Sequence, residues 1–396
     1  LMKVFYFFRI LFNLFVLIID LIKVTVLLLN KKKYKVFIQL EGGFGHTVSE
    51  PHYLNITEKK KWILILALEK KFHNHKVKDI FYPNIILINK TSIYWAKQKQ
   101  IENVFIFIIK KIHSINILPI WSYIMSKKYE TKKNNYHKCL ESREFREFYK
   151  FRNHNLYQNY IDTVESKKIF KNLKYSKGII NFQFRAKGKK TGTFDKYSQF
   201  RDSEDINYYK PSIEALIANG WAIIFGGEEF EIPNWFNKIE DKLIYRSKLN
   251  LDRYDYGMLA GLKTDIYIGP PSGGGLFNLI NSKKKQLFLN CLPFGYGFIG
   301  SVMSYPIMSF KNKNDFKKVF ERNIVDRSSF NFYEDRLVRK LNSNEVKDII
   351  LDFLNNINRN YGLSHKDLDI KNGIMEDTNF KVSEKWLDLI NYKYLK

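Results

Sequence analysis

The chain has 396 residues, of which 45% are hydrophobic, so it can bury a large interior and is expected to form two domains of ordinary size. Its formal net charge of +26 would attract polyanions, although an AT-biased coding sequence would also enrich the chain in Lys, Asn, Ile, Phe and Tyr. The two cysteines, Cys139 and Cys291, have no metal-ligand spacing, which argues against a disulfide framework or a zinc site and favours a reducing compartment.

Residues 1–30 are the most apolar part of the chain. At about 100° per residue, their polar interruptions fall within one narrow helical stripe; these are Arg9, Asn13, Asp20 and Lys23. The pattern predicts an amphipathic membrane-associated helix, with a helix packed under the first domain as the alternative. The basic run Lys31–Lys33 follows where a signal peptide would need a small-residue cleavage site, and it suits an anionic leaflet. The predicted location is therefore the cytoplasmic face of the inner membrane, peripheral or monotopic.

Three short apolar runs come next, YKVFIQL, WILILAL and NIILIN, and they predict buried parallel strands of a first domain over 31–175. The first run leads into GGFGH, a glycine-rich turn formed by Gly42, Gly43, Phe44, Gly45 and His46. Such a turn lets backbone N–H groups approach a ligand, and the pKa of a free histidine, near 6.5, suits a proton acceptor. A glycine turn with a structural histidine is the alternative.

A second series of strands and helices begins at GIINFQFR and defines a domain over 176–396. A helix is predicted from Ile206 to Asn219, followed by the strand WAIIFGG. The cycle repeats with a helix from Arg253 to Leu262 and the strands DIYIG and QLFLN. This order favours an α/β fold of two doubly wound, Rossmann-like domains facing a central cleft.

The loop PPSGGG follows the strand DIYIG. Ser272 can cap the next helix, while Gly273, Gly274 and Gly275 leave room for close contact with a diphosphate. No Lys-Ser or Lys-Thr pair follows the glycines, and no GxGxxG is present, which disfavours nucleoside triphosphatases and dinucleotide oxidoreductases. A tight strand-to-helix turn without a ligand is the alternative.

Charged residues near strand ends complete the predicted substrate-binding set. Arg185 ends the strand GIINFQF and could grip phosphate oxygens, whereas Arg201 could do so or pair with a neighbouring acid. Gly226, Gly227 and Glu228 follow a strand, where a carboxylate could bind ribose or sugar hydroxyls, although a solvated acid is the alternative. Asn290 ends the strand QLFLN and is included in the set. The histidines of HNH, His73 and His75, have no partners at metal spacing.

Taken together, several segments carry a resemblance to a known family: GGFGH, the Arg185-ended strand, RDSEDINYYKPSIEALIANGWAIIFGG and IYIGPPSGGGLFNLINSKKKQLFLN. Over roughly residues 35–290 they resemble bacterial GT-B-type glycosyltransferases of surface-polysaccharide synthesis. GGFGH is also similar to the GGxGGH loop of the transferase that adds N-acetylglucosamine to the peptidoglycan lipid precursor. The resemblance implies a nucleotide-sugar donor in the second domain and an acceptor in the first. It assigns the donor loop to Ser272, Gly273 and Gly274, phosphate binding to Arg185 and acceptor activation to His46.

The predicted function is transfer of a sugar from a nucleotide-diphosphate donor to a hydroxyl acceptor, either a glycan or a lipid-linked molecule. His46 would accept the hydroxyl proton, while Arg185 and the 272–275 backbone would stabilise the departing diphosphate. We expect no cofactor, no metal and no nucleic-acid partner, and an anionic membrane surface as a further partner. The alternatives are a non-catalytic membrane-peripheral polyanion binder and a nucleotide-sugar epimerase of the same fold.

Overall fold

The computed structural model describes most of the second half of the chain: residues 170–185, 205–249, 251, 253–271, 285–292, 300–321, 338–371 and 380–395. In the first half it describes four strands and single residues at 8, 11, 15, 18, 19, 22, 25, 26, 29 and 111, and in the second half residue 200 stands alone. The chain divides into two compact units, Leu1–Lys133 and Asn134–Lys396. The predicted boundary at residue 175 and the predicted cleft between domains stay predictions.

The first unit contains a four-stranded sheet. Its strands are β1 (Tyr34–Gln39), β2 (Trp62–Ala67), β3 (Ile85–Asn89) and β4 (Leu118–Pro119). They lie in the order β3-β2-β1-β4, and each neighbouring pair is parallel. The three apolar runs of the sequence therefore form parallel strands as predicted, because each run carries enough β-branched and large apolar residues to be covered on both faces.

The second unit is built on a seven-stranded sheet. Its members are β5 (Gly178–Phe184), β6 (Trp221–Gly227), β7 (Leu243–Ile244), β8 (Ile266–Gly269), β9 (Lys285–Phe288), β10 (Val302–Met303) and β13 (Lys381–Val382). They lie in the order β13-β10-β9-β8-β5-β6-β7, and every pairing in the sheet is parallel. Two further strands, β11 (Ile307–Met308) and β12 (Val338–Arg339), form an antiparallel pair beside it.

Five α-helices are described in this unit: α1 (Lys210–Ala218), α2 (Arg253–Leu262), α3 (Lys313–Glu321), α4 (Ser343–Asn355) and α5 (Glu384–Leu389). The predicted helix over 206–219 is a 3₁₀ turn at Ile206–Tyr209 that continues into α1. Pro211 is the second residue of α1. Proline is tolerated there because the first N–H groups of a helix have no partner within the helix.

Helices cover both faces of the seven-stranded sheet. The ring of Phe182 on β5 meets the ring of Tyr209, just before α1, at a centroid distance of 4.9 Å. Ile179 lies three positions before Phe182 in the same strand and therefore points to the other face. It belongs to a buried cluster with Tyr256 and Ala260 of α2. Because successive strand residues point to opposite faces, α1 and α2 lie on opposite sides of β5. The second unit therefore has the doubly wound α/β arrangement that the sequence predicts.

Near the N-terminus, the described residues at 8, 11, 15, 18, 19, 22, 25 and 26 are all helical. Within the part of the chain that is described, no helix combines the length and the apolar character needed to cross a bilayer.

Candidate functional site

The order of strands in the second unit reverses between β5 and β8. From β5 the chain moves outward to β6 and β7, then returns to add β8 on the other side of β5 and continues to β9, β10 and β13. In open parallel sheets, such a reversal opens a crevice at the carboxyl ends of the two central strands, and ligands bind there. The candidate site is therefore the edge of the sheet beyond Phe184 of β5 and Gly269 of β8.

Two segments singled out in the sequence flank this reversal. Arg185 comes directly after β5 and is half-buried. Pro270 and Pro271 come directly after β8 and are buried, and the chain then enters the 272–275 loop, which lies outside the described residues. The end of β5 and the end of β8 are neighbours because Phe182 pairs with Ile268.

The turn after β6 is tied to the end of β5. Gly227 has a left-handed backbone, with φ of 94°, which glycine adopts without steric cost. The backbone N–H of Glu228 donates to the carbonyl of Phe184 at 3.1 Å. Since Arg185 is the next residue after Phe184, the backbones of Glu228 and Arg185 are brought close together at the same edge of the sheet.

A side chain that the sequence analysis did not select, Gln183, fills the space under this turn. It is 6% exposed. A Cβ added to Gly226 would lie 2.6 Å from Oε1 of Gln183, and one added to Gly227 would lie 2.3 Å from its Nε2. A Cβ at Gly269 would lie 2.5 Å from the Cβ of Gln183. These three glycines lie on β6 and β8, the two strands that flank β5, and they make room for Gln183 near the end of β5.

A pocket opens beside Glu228, towards β7. Its empty space of about 300 Å³ includes open solvent. Phe225, Phe230 and Tyr256 supply apolar walls, and Glu228, Arg246 and Ser247 supply polar groups. The Nε of Arg246 donates to Oε1 of Glu229 at 2.6 Å, which holds one side of the pocket. The pocket thus combines aromatic surface with hydrogen-bonding groups, as small-molecule sites commonly do.

Two tyrosines of the pocket have altered acidity. Burial raises the pKa of Tyr256 well above its usual value, and the hydroxyl of this residue donates to the carbonyl of Ile244 at 3.1 Å. Burial also raises the pKa of Tyr245, with a smaller contribution from the charge of Glu240. Both side chains stay neutral at physiological pH, so the charge in the pocket comes from Glu228, Glu229 and Arg246.

Asn290 lies at the same edge of the sheet, after β9, and is 3% exposed. Its Oδ1 accepts from the backbone N–H of Leu341 at 3.1 Å, and its Nδ2 donates to the hydroxyl of Tyr208 at 3.4 Å. The hydroxyl of Tyr208 in turn donates to the carbonyl of Leu341. The amide of Asn290 therefore connects β9 to the segment before α4, which favours a structural role; binding of substrate by this residue stays a prediction.

Several candidate residues lie outside the described part of the chain. They are Gly42, Gly43, Gly45, His46, Arg201, Ser272, Gly273, Gly274 and Gly275. Their roles stay predictions. Of the remaining candidates, the structure brings Arg185, Gly226, Gly227 and Glu228 together around Gln183, and it adds Arg246 and Tyr245 from the neighbouring strand end. A glutamine in a buried strand whose other polar side chain is Asn181 was the available signal for Gln183, since such residues are seldom buried without a specific contact.

The comparisons with known proteins are few. No protein-family model matches the sequence, and a search of curated proteins finds no match. Among solved structures, the chain is similar to a glycosyl transferase family 9 protein from Veillonella parvula, with 12% sequence identity and a TM-score of 0.38, over 79% of this chain and 95% of that one.

Proposed function

We propose that the chain transfers a sugar from a nucleotide-diphosphate donor to a hydroxyl acceptor, and that the second unit binds the donor. One observation carries the proposal: the strand order reverses between β5 and β8, with Arg185 directly after β5 and Pro270 and Pro271 directly after β8. A crevice of this kind is where doubly wound sheets bind nucleotides. The sequence resemblance to GT-B-type glycosyltransferases selects glycosyl transfer among nucleotide chemistries.

Within this crevice, the diphosphate is the group that must be stabilised, because it leaves with negative charge as the glycosidic bond breaks. The guanidinium of Arg185 can donate two parallel hydrogen bonds to phosphate oxygens. The backbone N–H groups of a glycine-rich loop that opens a helix add donors and a favourable dipole. Both are charges and dipoles fixed before the reaction, which is the form of stabilisation that lowers the barrier most.

In this proposal, the nucleoside end of the donor binds at the neighbouring pocket. The carboxylate of Glu228 can accept hydrogen bonds from the two hydroxyls of a ribose. The walls formed by Phe225, Phe230 and Tyr256 offer apolar contacts for a base. Because the backbones of Glu228 and Arg185 are joined through Phe184, ribose and diphosphate would bind to adjacent parts of one edge.

The acceptor belongs, in this proposal, to the first unit. His46 follows the loop after β1 and would take the proton from the acceptor hydroxyl as the new bond forms. The acceptor is a hydroxyl-bearing glycan or a lipid-linked molecule, and the product side releases a nucleoside diphosphate. No metal or cofactor is needed in this scheme, since Arg185 and the loop supply the positive charge and the donors.

The first experiment tests donor binding with the purified full-length chain. Nucleoside diphosphates and their sugars are screened by thermal shift, together with inorganic polyphosphate. A ligand present at about a hundred times its Kd should raise the Tm by a few degrees. We expect one class of nucleotide to raise the Tm at moderate salt. The substitution Arg185→Ala should abolish this rise. Arg359→Ala is the matched control, because it also removes one positive charge, from an exposed arginine in the turn after α4.

The outcomes separate the proposal from its alternatives. Equal stabilisation by every polyanion, lost steeply with salt, would favour a non-catalytic polyanion binder. Isomerisation of the bound donor without any acceptor would favour an epimerase. Release of nucleoside diphosphate that depends on an added acceptor, and that His46→Ala abolishes while donor binding is kept, supports the proposal.

A further inference from the structure

The described residues near the N-terminus include a set of exposed apolar side chains. Seven large apolar side chains there are 46% to 78% exposed; these are Phe8, Leu11, Phe15, Ile18, Ile22, Val26 and Leu29. All but Leu29 are helical. Placed at 100° per residue, the seven lie within about 80° of arc. A helix packed under the first domain would bury such residues, so this exposure disfavours that alternative.

The sequence predicts that the opposite side of such a helix is polar. At the same spacing, Arg9, Asn13, Asp20 and Lys23 centre about 140° away from the exposed apolar face. These polar residues are spread along the length of the segment, and a spanning helix would have to carry them through the hydrocarbon core at high cost. A helix lying in the plane of the interface keeps the polar side in water and buries the apolar side.

The charge of the segment indicates which surface it meets. Residues 1–33 contain six basic residues and one acidic residue, and three of the basic residues form the run Lys31–Lys33 just after the apolar face. Basic residues next to an inserted apolar face are attracted to anionic lipid headgroups. Residues 1–30 contain no Gly, Ala or Ser, the small residues that allow two helices to pack closely in a membrane.

We propose that this face, Phe8 to Leu29, docks the protein in the plane of an anionic bilayer surface. The bulky side chains Phe8, Phe15 and Ile22 enter the boundary between headgroups and acyl chains. The basic residues remain at the headgroup level. This inference does not depend on the proposed transferase activity.

The test is flotation of the full-length chain with vesicles of phosphatidylcholine alone or mixed with phosphatidylglycerol. We expect binding to the mixed vesicles that weakens when NaCl is raised from about 0.1 to about 1 M, because the Debye length then falls from about 10 to about 3 Å. Phe15→Asp should lower partitioning at least about tenfold. Asn13→Asp is the matched control: it adds the same charge two residues away, on the polar side, and should change partitioning by less than about twofold.

Other results would overturn the proposal. Equal losses in the two variants would mean that charge alone drives binding, and equal binding to both vesicle types would remove the role of anionic lipid. Phe15→Asp should leave the Tm without vesicles unchanged, because Phe15 is 61% exposed; a fall of several degrees would mean that the face is packed inside the protein. A dimer in sedimentation equilibrium that Phe15→Asp dissociates, with vesicle binding unchanged, would assign the face to a second copy of the chain.

Discussion

The side-chain oxygen of Gln183 lies 2.6 Å from the position that a Cβ on Gly226 would occupy. A second amide oxygen, Oδ1 of Asn181, lies at the same distance from that position. A larger residue at Gly226 would therefore have to displace the ends of these two buried side chains of the adjacent strand. With glycine there, the turn that carries Glu228 can follow the end of β5 closely.

Gly226→Ala is expected to destabilise the second unit by about 1–3 kcal/mol, because the new methyl group must displace a buried amide. Chemical denaturation measures the loss. The matched test is the double variant Gly226→Ala with Gln183→Ala, in which the amide of Gln183 no longer meets the methyl group and only the amide of Asn181 does. The double-mutant cycle should give a favourable coupling between the substitutions, and strict additivity would contradict the contact.

Substitutions of Asn290 can distinguish a structural role of its side-chain amide from a role in binding a ligand. Its backbone is left-handed, with φ of 51°, and its amide holds Leu341 and Tyr208. Asn290→Ala should cost about 2–3 kcal/mol, from the unpaired N–H of Leu341 and the strained backbone.

Asn290→Gly is the control for backbone strain and should recover about 1 kcal/mol of that loss, since glycine accepts positive φ. Neither variant should change the Kd of a nucleotide if the amide is structural. A tenfold weaker Kd in a variant that remains folded would restore Asn290 to the binding set.

Glu345 makes the stability of α4 dependent on pH. Arg339 donates two hydrogen bonds of 2.7 Å to its carboxylate, and Asn342 donates its backbone N–H at 2.8 Å in a capping box. The hydrogen bonds from Arg339 lower the pKa of Glu345 in the folded state, against the opposing effect of burial. A lowered folded pKa means that this stabilisation is complete above the unfolded pKa, near 4.3, and is lost as pH falls through the folded pKa.

Glu345→Gln should therefore cost about 1 kcal/mol of the free energy of unfolding at pH 7, and the cost should shrink below pH 4. Denaturation curves at a series of pH values measure it. Glu214→Gln is the control, since Glu214 makes a solvent-exposed pair with Lys210 at 3.8 Å. A loss for Glu345→Gln that does not vary with pH would contradict the role of its charge.

Glu228 is expected to recognise ribose if the proposed donor site is right. Glu228→Gln should weaken the binding of the ribonucleoside diphosphate about tenfold, because a hydrogen bond to a charged acceptor is replaced by one to a neutral amide. It should weaken binding of the 2′-deoxy form much less. Calorimetric titration of both nucleotides gives the comparison, and Glu229→Gln, which affects the pair with Arg246, serves as the neighbouring control. Equal weakening of both nucleotides would remove the ribose assignment.

Much of the local structure follows from the sequence alone. The apolar runs predict β1, β2, β3, β5, β6 and β8, and helical patterns predict α1 and α2. The position of Arg185 and Glu228 directly after strands is also visible in the sequence, because the change from apolar to charged residues marks where a buried strand ends. These features depend on residues that are close in sequence. The periodic pattern of apolar residues can therefore predict them.

Only the tertiary structure decided the order of the strands and therefore the position of the crevice. β8 lies beside β5 although more than eighty residues separate Ile180 from its partner Ile266, and β6 and β7 intervene in the chain. The contact between Gln183 and Gly226 and the hydrogen bond between Leu341 and Asn290 also depend on the tertiary structure. Each joins residues distant in sequence through hydrogen bonds and close packing, and no local pattern of apolar and polar residues encodes which distant partners will meet.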